Sequence, residues 1–243
     1  KTPASDWIYF KVYAGPSSAD AFLLDLRSAL QDEAFCRLID HFIFVRLLDE
    51  HGPSLRIRFQ ASPGTEPRKL RHQAIELVES IASKRSVQRW AIDTYFRETH
   101  RYGGDEGIKI VERIFHTDSV FVLDLLALLS TPPQREHQIA AAMISAPRLL
   151  DGLGLEYTEV LSVLRAQSQG LERELYTDNA PPLNQPPSLP PDIEPRVVDL
   201  TRRMQDQMQP LAAMLAAAWR KRSLTRPLTE IAAAILHMHV NRI

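Results

Sequence analysis

The aromatic and β-branched run Trp7-Ile8-Tyr9-Phe10-Lys11-Val12-Tyr13, ended by Gly15-Pro16, predicts a β-strand. Ser17 or Ser18 can cap the helix that follows, whose apolar Phe22, Leu23, Leu26 and Leu30 recur at helical spacing. Phe42 to Leu48 and Leu55 to Phe59 flank the turn Asp49-Glu50-His51-Gly52-Pro53, the layout of an antiparallel hairpin. A helix from about Pro67 to Ser83 and a strand near Val87 to Phe96 complete the order β-α-β-β-α-β. From Gly107 onward the period is helical, over Ile108 to Phe115, Ser119 to Leu129, Gln134 to Ile144, Tyr157 to Leu175, Arg196 to Arg222 and Leu228 to Ile243. The expected class is α+β: a ferredoxin-like split βαβ antiparallel sheet over residues 1–106, then a mainly helical half over 107–243, together one integrated domain.

Composition sharpens that division. Six of the nine glycines precede residue 108 and none follows residue 170, while seven prolines crowd residues 180–195. Such a segment favours extended backbone and reads either as a surface loop between helices or as a lid or docking arm. With 29 basic against 30 acidic side chains, bulk charge does not hold a polyanion, so no direct nucleic-acid contact is expected. The single Cys36 excludes a disulfide framework and a multi-cysteine zinc site. No apolar stretch approaches the roughly 20 residues of a bilayer span, and no signal peptide is evident, so the expectation is a cytoplasmic protein. The apolar segments Ser119 to Leu129 and Leu211 to Trp219 are core or interface, which leaves a homodimer open.

Three places carry candidate chemistry. Alternation in Ser54-Leu55-Arg56-Ile57-Arg58-Phe59-Gln60 points Arg56 and Arg58 the same way, and Arg46 joins them if the register allows. Guanidinium forks suit carboxylates and phosphates, although a solvated polar sheet face reads the same. Beyond Tyr95, Glu98 and Arg101 precede Gly103-Gly104, and they either pair in a cleft or simply line a chain reversal. In the last helix His237 and Asn241 share a face at i, i+4, so His237 is either a hydrogen-bonded packing residue or an acid/base. His239 is rotated about 200° from it, and the pair has no Cys or acidic partner spaced for zinc, so no metal is expected. Neither a P-loop, a dinucleotide fingerprint nor a Gly-X-Ser-X-Gly elbow occurs.

Taken jointly, several segments resemble the C-terminal domain of lantibiotic dehydratases, a family also known as thiopeptide-type bacteriocin biosynthesis proteins. They are Trp7 to Tyr13; Phe42 to Arg46 with Gly52-Pro53-Ser54-Leu55-Arg56-Ile57-Arg58-Phe59; Tyr95 to Gly104; Phe115-His116-Thr117-Asp118-Ser119; and Leu224-Thr225-Arg226-Pro227-Leu228 leading to His237-Met238-His239-Val240-Asn241-Arg242. The resemblance implies a glutamate-elimination domain standing alone, acting on a precursor peptide whose Ser or Thr has been esterified with glutamate by a separate tRNA-dependent glutamylation protein. The product is dehydroalanine or dehydrobutyrine, and no cofactor is implied. The family's elimination residues fall on Arg56, Arg58, Glu98, Arg101 and His237; His237, Arg56, Arg101 and Glu98 are expected to be catalytic, and Arg58, Arg46, Tyr95 and Asn241 to bind substrate. One departure is Ser54, where members commonly carry His. Two alternatives stay open: a formal [4+2] cycloaddition, as in the similar pyridine synthases, and a non-catalytic peptide-binding subunit of a split dehydratase.

Overall fold

The computed structural model describes residues 1–2, 5–129, 135–175 and 187–243. The chain divides into two compact units: one of 1–97, 118–132 and 242, the other of 98–117, 133–241 and 243.

The first unit is built on four strands, β1 (Trp7–Ala14), β2 (Ile39–Asp49), β3 (Gly52–Ala61) and β4 (Val87–Asp93). They form an antiparallel sheet in the order β2-β3-β1-β4, the ferredoxin-like arrangement that the sequence predicts. Helices α1 (Pro16–Leu30) and α3 (Pro67–Lys84) are its crossovers, with a single turn, α2 (Glu33–Cys36), inserted after the first. Gly15, rather than Ser17 or Ser18, is the N-cap of α1, and Pro16 takes the first helical position, where its missing N–H is no loss. Between β2 and β3 the chain reverses through Glu50-His51 alone, because Asp49 already pairs with Gly52, whose φ of 106° suits glycine.

Strand alternation decides what each face buries. Ile8, Phe10, Val12, Leu55, Ile57, Phe59, Phe42 and Phe44 occupy one face, and it is against such residues that Phe22, Leu23, Leu26, Ala74 and Val78 of the crossovers are buried. Burying one such aromatic or aliphatic side chain contributes about 1.5–3 kcal/mol. The opposite face carries Trp7, Tyr9, Lys11, Tyr13, Ser54, Arg56, Arg58 and Gln60, in direct cross-strand pairs. It is no solvated polar surface, since Trp7, Tyr9, Tyr13, Ser54 and Arg56 are all buried.

A continuous helix, α4 (Gly104–Leu128), replaces the two separate helices expected over 108–115 and 119–129. The linking Thr117 returns its hydroxyl to the Arg113 carbonyl at 3.3 Å, which lets a polar residue stay in helix. Asp118 and Ser119 are fully buried and serve the outer edge of β2. Ser119 Oγ accepts from the Phe44 N–H at 3.2 Å, and Arg242 Nε donates to the Phe44 carbonyl at 2.7 Å. Arg242 also binds Asp118 at 2.7 Å, so that edge of the sheet is capped by side chains rather than left unpaired.

The second unit is helical: the start of α4, then α5 (Arg135–Gly152), α6 (Tyr157–Leu175), α7 (Glu194–Arg220) and α8 (Leu228–Val240). Helix α5 runs past the Ile144 at which the pattern predicted its end and through Pro147. It packs closely on α7, where a Cβ on Gly152 would lie 3.3 Å from the Gln205 backbone. Of the proline-rich segment, 180–186 lies outside the described residues, and 187–193 is irregular and leads into α7. Among the described residues, no helix is long and apolar enough to cross a membrane.

Candidate active site

On the aromatic face of the sheet three cations lie close together and are treated differently. Lys11 pairs with Asp93 from the neighbouring strand. That hydrogen bond raises Lys11 above its ordinary value against the opposing effects of burial and Arg56, and it holds Asp93 below the usual carboxylate range with help from the Thr94 N–H. Arg56, 7% exposed, ties Nη2 to Asp49 and donates Nη1 to the Tyr9 hydroxyl at 2.9 Å. Desolvation pushes Asp49 up, but the His51 N–H at 2.9 Å, the Tyr13 hydroxyl at 3.1 Å and Arg56 outweigh it, and the net direction is down.

Arg58 has neither arrangement. Among the described residues it forms no ion pair, its buried Nε meets no acceptor, and it is only half-buried. Its Cζ instead lies 4.6 Å from the ring centroids of both Tyr9 and Tyr95, whose rings stand 6.3 Å apart in edge geometry. Two π faces stabilise the charge without consuming N–H donors. With Asp93 engaged by Lys11 and Asp49 by Arg56, Arg58 has no carboxylate partner among the described residues; on the same face Arg89, opposite Tyr13, has its Cζ 4.4 Å from the Tyr13 ring centroid. Tyr95 is fixed in turn by Lys1, whose backbone nitrogen and carbonyl bond the Tyr95 carbonyl and N–H at 2.6 and 2.9 Å.

Arg46 does not join this group. The register pairs it with Leu55, placing it on the opposite face, where Nη2 binds Asp20 at 2.5 Å and Nε binds the Arg242 carbonyl at 2.8 Å. A guanidinium so occupied is a structural clamp, and the open question about its register is answered against a shared face.

The other predicted residues belong to the helical unit. Arg101 Nη1 donates to Glu98 at 3.1 Å across one turn; Glu98 is exposed and Arg101 lies partly over the Tyr102 ring. The double glycine after them is a packing turn. Gly103, at φ 84°, accepts from the Thr225 N–H at 3.1 Å, and a Cβ there would come within 2.8 Å of Ile231 Cδ1. Chain reversal, rather than close approach to a ligand, explains these glycines. His237, half-buried near the end of α8, has its Nε2 3.2 Å from the Asn241 amide nitrogen, the i, i+4 pair the sequence predicts. His239 points elsewhere, fully buried with Nε2 2.8 Å from Ser145 Oγ. Among the described residues no group of three or more His, Cys, Asp or Glu could hold a metal ion.

Sequence reasoning missed Tyr9 and Asp49. Tyr9 reads as a strand-core aromatic until the register sets it opposite Arg58, and Asp49 reads as a turn residue until the hairpin folds it back onto Arg56. Register was the signal needed, and alternation alone does not supply it.

Similarity to known proteins points the same way. The chain is 28% identical over 130 residues to nisin biosynthesis protein NisB of Lactococcus lactis subsp. lactis, an alignment covering 53% of this chain and 12% of that protein. Its fold resembles the tRNA-dependent lantibiotic dehydratase MibB of Microbispora sp. 107891, with a TM-score of 0.67 and 19% identity over 98% of this chain and 26% of that one. It also resembles TbtD, a pyridine synthase from thiomuracin biosynthesis, with a TM-score of 0.57 and 15% identity over 98% of this chain and 92% of that one. The chain thus spans about an eighth of NisB and a quarter of MibB. A family profile described as lantibiotic biosynthesis dehydratase C-term matches residues 7–243, and the chain belongs to that family.

Proposed function

We propose that the chain eliminates glutamate from glutamylated Ser or Thr residues of a ribosomally made precursor peptide, as a cytoplasmic lyase. The observation that carries this reading is Arg58, a guanidinium held between two tyrosine rings with no carboxylate of its own among the described residues. A glutamyl ester offers the carboxylate it lacks. In this reading Arg58 and Arg101 bind or neutralise the glutamyl group, Glu98 orients Arg101, and His237 takes the Cα proton of the esterified residue. As that proton leaves, the Cβ–O bond breaks with its electron pair staying on the departing glutamate, and the Cα=Cβ double bond forms. A positioned base contributes typically about 10²–10⁴-fold to such a transfer. Arg56, already neutralised by Asp49, supports the site without binding substrate, and Arg46 has no contact role in it. The glutamate would be supplied by a tRNA-dependent glutamylation step that precedes elimination.

Incubating this protein with a synthetic peptide that bears one glutamyl-serine ester, followed by mass spectrometry, tests the reading. Loss of glutamate to give dehydroalanine supports elimination, and an unchanged ester overturns it. A second reading, cycloaddition between two dehydroalanines, draws support from the coverage of 92% of the TbtD chain. A bis-dehydroalanine peptide separates the two.

A further inference from the structure

One side chain touches both arginines of strand β3. The Tyr9 hydroxyl accepts from Arg56 Nη1 at 2.9 Å, while its ring centroid lies 4.6 Å from Arg58 Cζ, directly across the β1–β3 register. Behind it Arg56 is bonded to Asp49, which also accepts from the Tyr13 hydroxyl, and Tyr9 itself is 7% exposed. A phenol anchored at its hydroxyl cannot turn its ring away without breaking a buried hydrogen bond.

The geometry points to Tyr9 as a positioning residue for Arg58. Its ring, with Tyr95, fixes the guanidinium before any anion arrives, and its hydroxyl locks that ring to the Arg56–Asp49 pair. Fixing a long side chain in advance removes the loss of its rotamer freedom from the cost of binding. Two rings do this without occupying the N–H donors, which a carboxylate partner would consume. The identity of the anion rests on the elimination reading; the positioning of Arg58 does not.

The test uses Tyr9→Phe, Tyr9→Leu, Arg58→Gln and the double variant Tyr9→Leu/Arg58→Gln in the full chain. In ¹H–¹⁵N spectra of arginine side chains, the Arg58 Nε–H, assigned by its absence in Arg58→Gln, carries a ring-current shift in the wild type that Tyr9→Phe, whose ring has lost its hydroxyl anchor, keeps only in part. It loses that shift in Tyr9→Leu. Titrated glutarate moves the same signal at about tenfold lower concentration when the ring is present, the scale of one desolvated cation–π contact. On the glutamyl-serine ester peptide, Tyr9→Leu raises KM about tenfold with a smaller change in kcat, Tyr9→Phe stays within about threefold, and Tyr9→Leu adds nothing once Arg58 is Gln. An Arg58 signal indifferent to Tyr9→Leu, or additive losses in the double variant, overturns the inference. Should the wild type leave the ester intact, the elimination reading falls while the spectra and the glutarate titration still decide the role of Tyr9. If Tyr9→Leu does not fold, Tyr9→Met, closer in volume and lacking a π face, takes its place with the same expected outcomes.

Discussion

Arg242 and Asp118 form a 2.7 Å ion pair with no exposed surface on either side chain. Removing one member of such a pair takes the opposite charge away from a fully buried group, so Arg242→Met is expected to cost about 3–5 kcal/mol. Arg242 Nε also serves the Phe44 carbonyl, so Asp118→Leu together with Arg242→Met should recover only part of the loss. Urea unfolding monitored by circular dichroism checks both, and a single-variant loss under about 1 kcal/mol would contradict this account.

Arg56 and Arg58 sit two residues apart and should fail differently. Arg58→Gln breaks no ion pair, so its stability should stay within about 1 kcal/mol of wild type while elimination falls at least tenfold. Arg56→Gln takes the ion pair from Asp49, which keeps only the His51 N–H and the Tyr13 hydroxyl, and removes a donor from Tyr9, so it should lower stability more than Arg58→Gln does. Thermal melts read beside turnover distinguish the two, and equal melting losses would sink the distinction.

The acidic and basic limits of stability follow from Asp49, Asp93 and Lys11. Both carboxylates have folded-state values below their ordinary 3.8, so their contribution is complete above the unfolded value and is lost as pH falls through the lowered folded values. Lys11 is raised above 10.5, so its contribution is complete below that value and is lost as pH rises through the raised one. Melting temperature should therefore be flat with respect to these groups from about pH 5 to 9 and fall on either side. In Asp93→Asn the alkaline fall assigned to Lys11 should shrink, because its raising hydrogen bond is gone.

Asn241 holds the His237 ring through Nε2. Asn241→Ala frees that nitrogen and the ring together. Under the elimination reading it should lower kcat more than it raises KM, whereas His237→Asn should abolish turnover with the fold kept. Full turnover by His237→Asn would remove it from the chemistry.

Gly103 has two reasons to resist substitution, a φ of 84° and the 2.8 Å approach of Ile231 Cδ1 to any added Cβ. Gly103→Ala should cost about 1–3 kcal/mol, and Ile231→Val in the same chain should recover the steric part alone. Denaturant midpoints measure both.

Periodicity was enough to place the four strands, both crossover helices and the face shared by Arg56 and Arg58, because alternation and helical spacing are local properties of the chain. The i, i+4 pair of His237 and Asn241 was readable for the same reason. What escaped depends on long-range register. The pairing of Asp49 with Gly52 carries Arg46 opposite Leu55 and so fixes its face, and nothing near Tyr9 announces that Arg58 will lie across from it. Helix α4 escaped for a different reason. Its central Thr117-Asp118-Ser119 looks like a cap, and only the buried partners of Asp118 and Ser119 keep it helical.

The side-chain cap on strand β2 also has a kinetic side. Phe44 and Arg242 are separated by 198 residues, so at ribosomal rates of about 5–20 residues per second the strand edge waits roughly 10–40 s for its guanidinium. Ser119, which serves the Phe44 N–H, follows Phe44 by only 75 residues, so for most of that interval it is the Phe44 carbonyl that waits for its donor. A late-arriving arginine therefore leaves the nascent chain with an edge acceptor that the finished protein has covered.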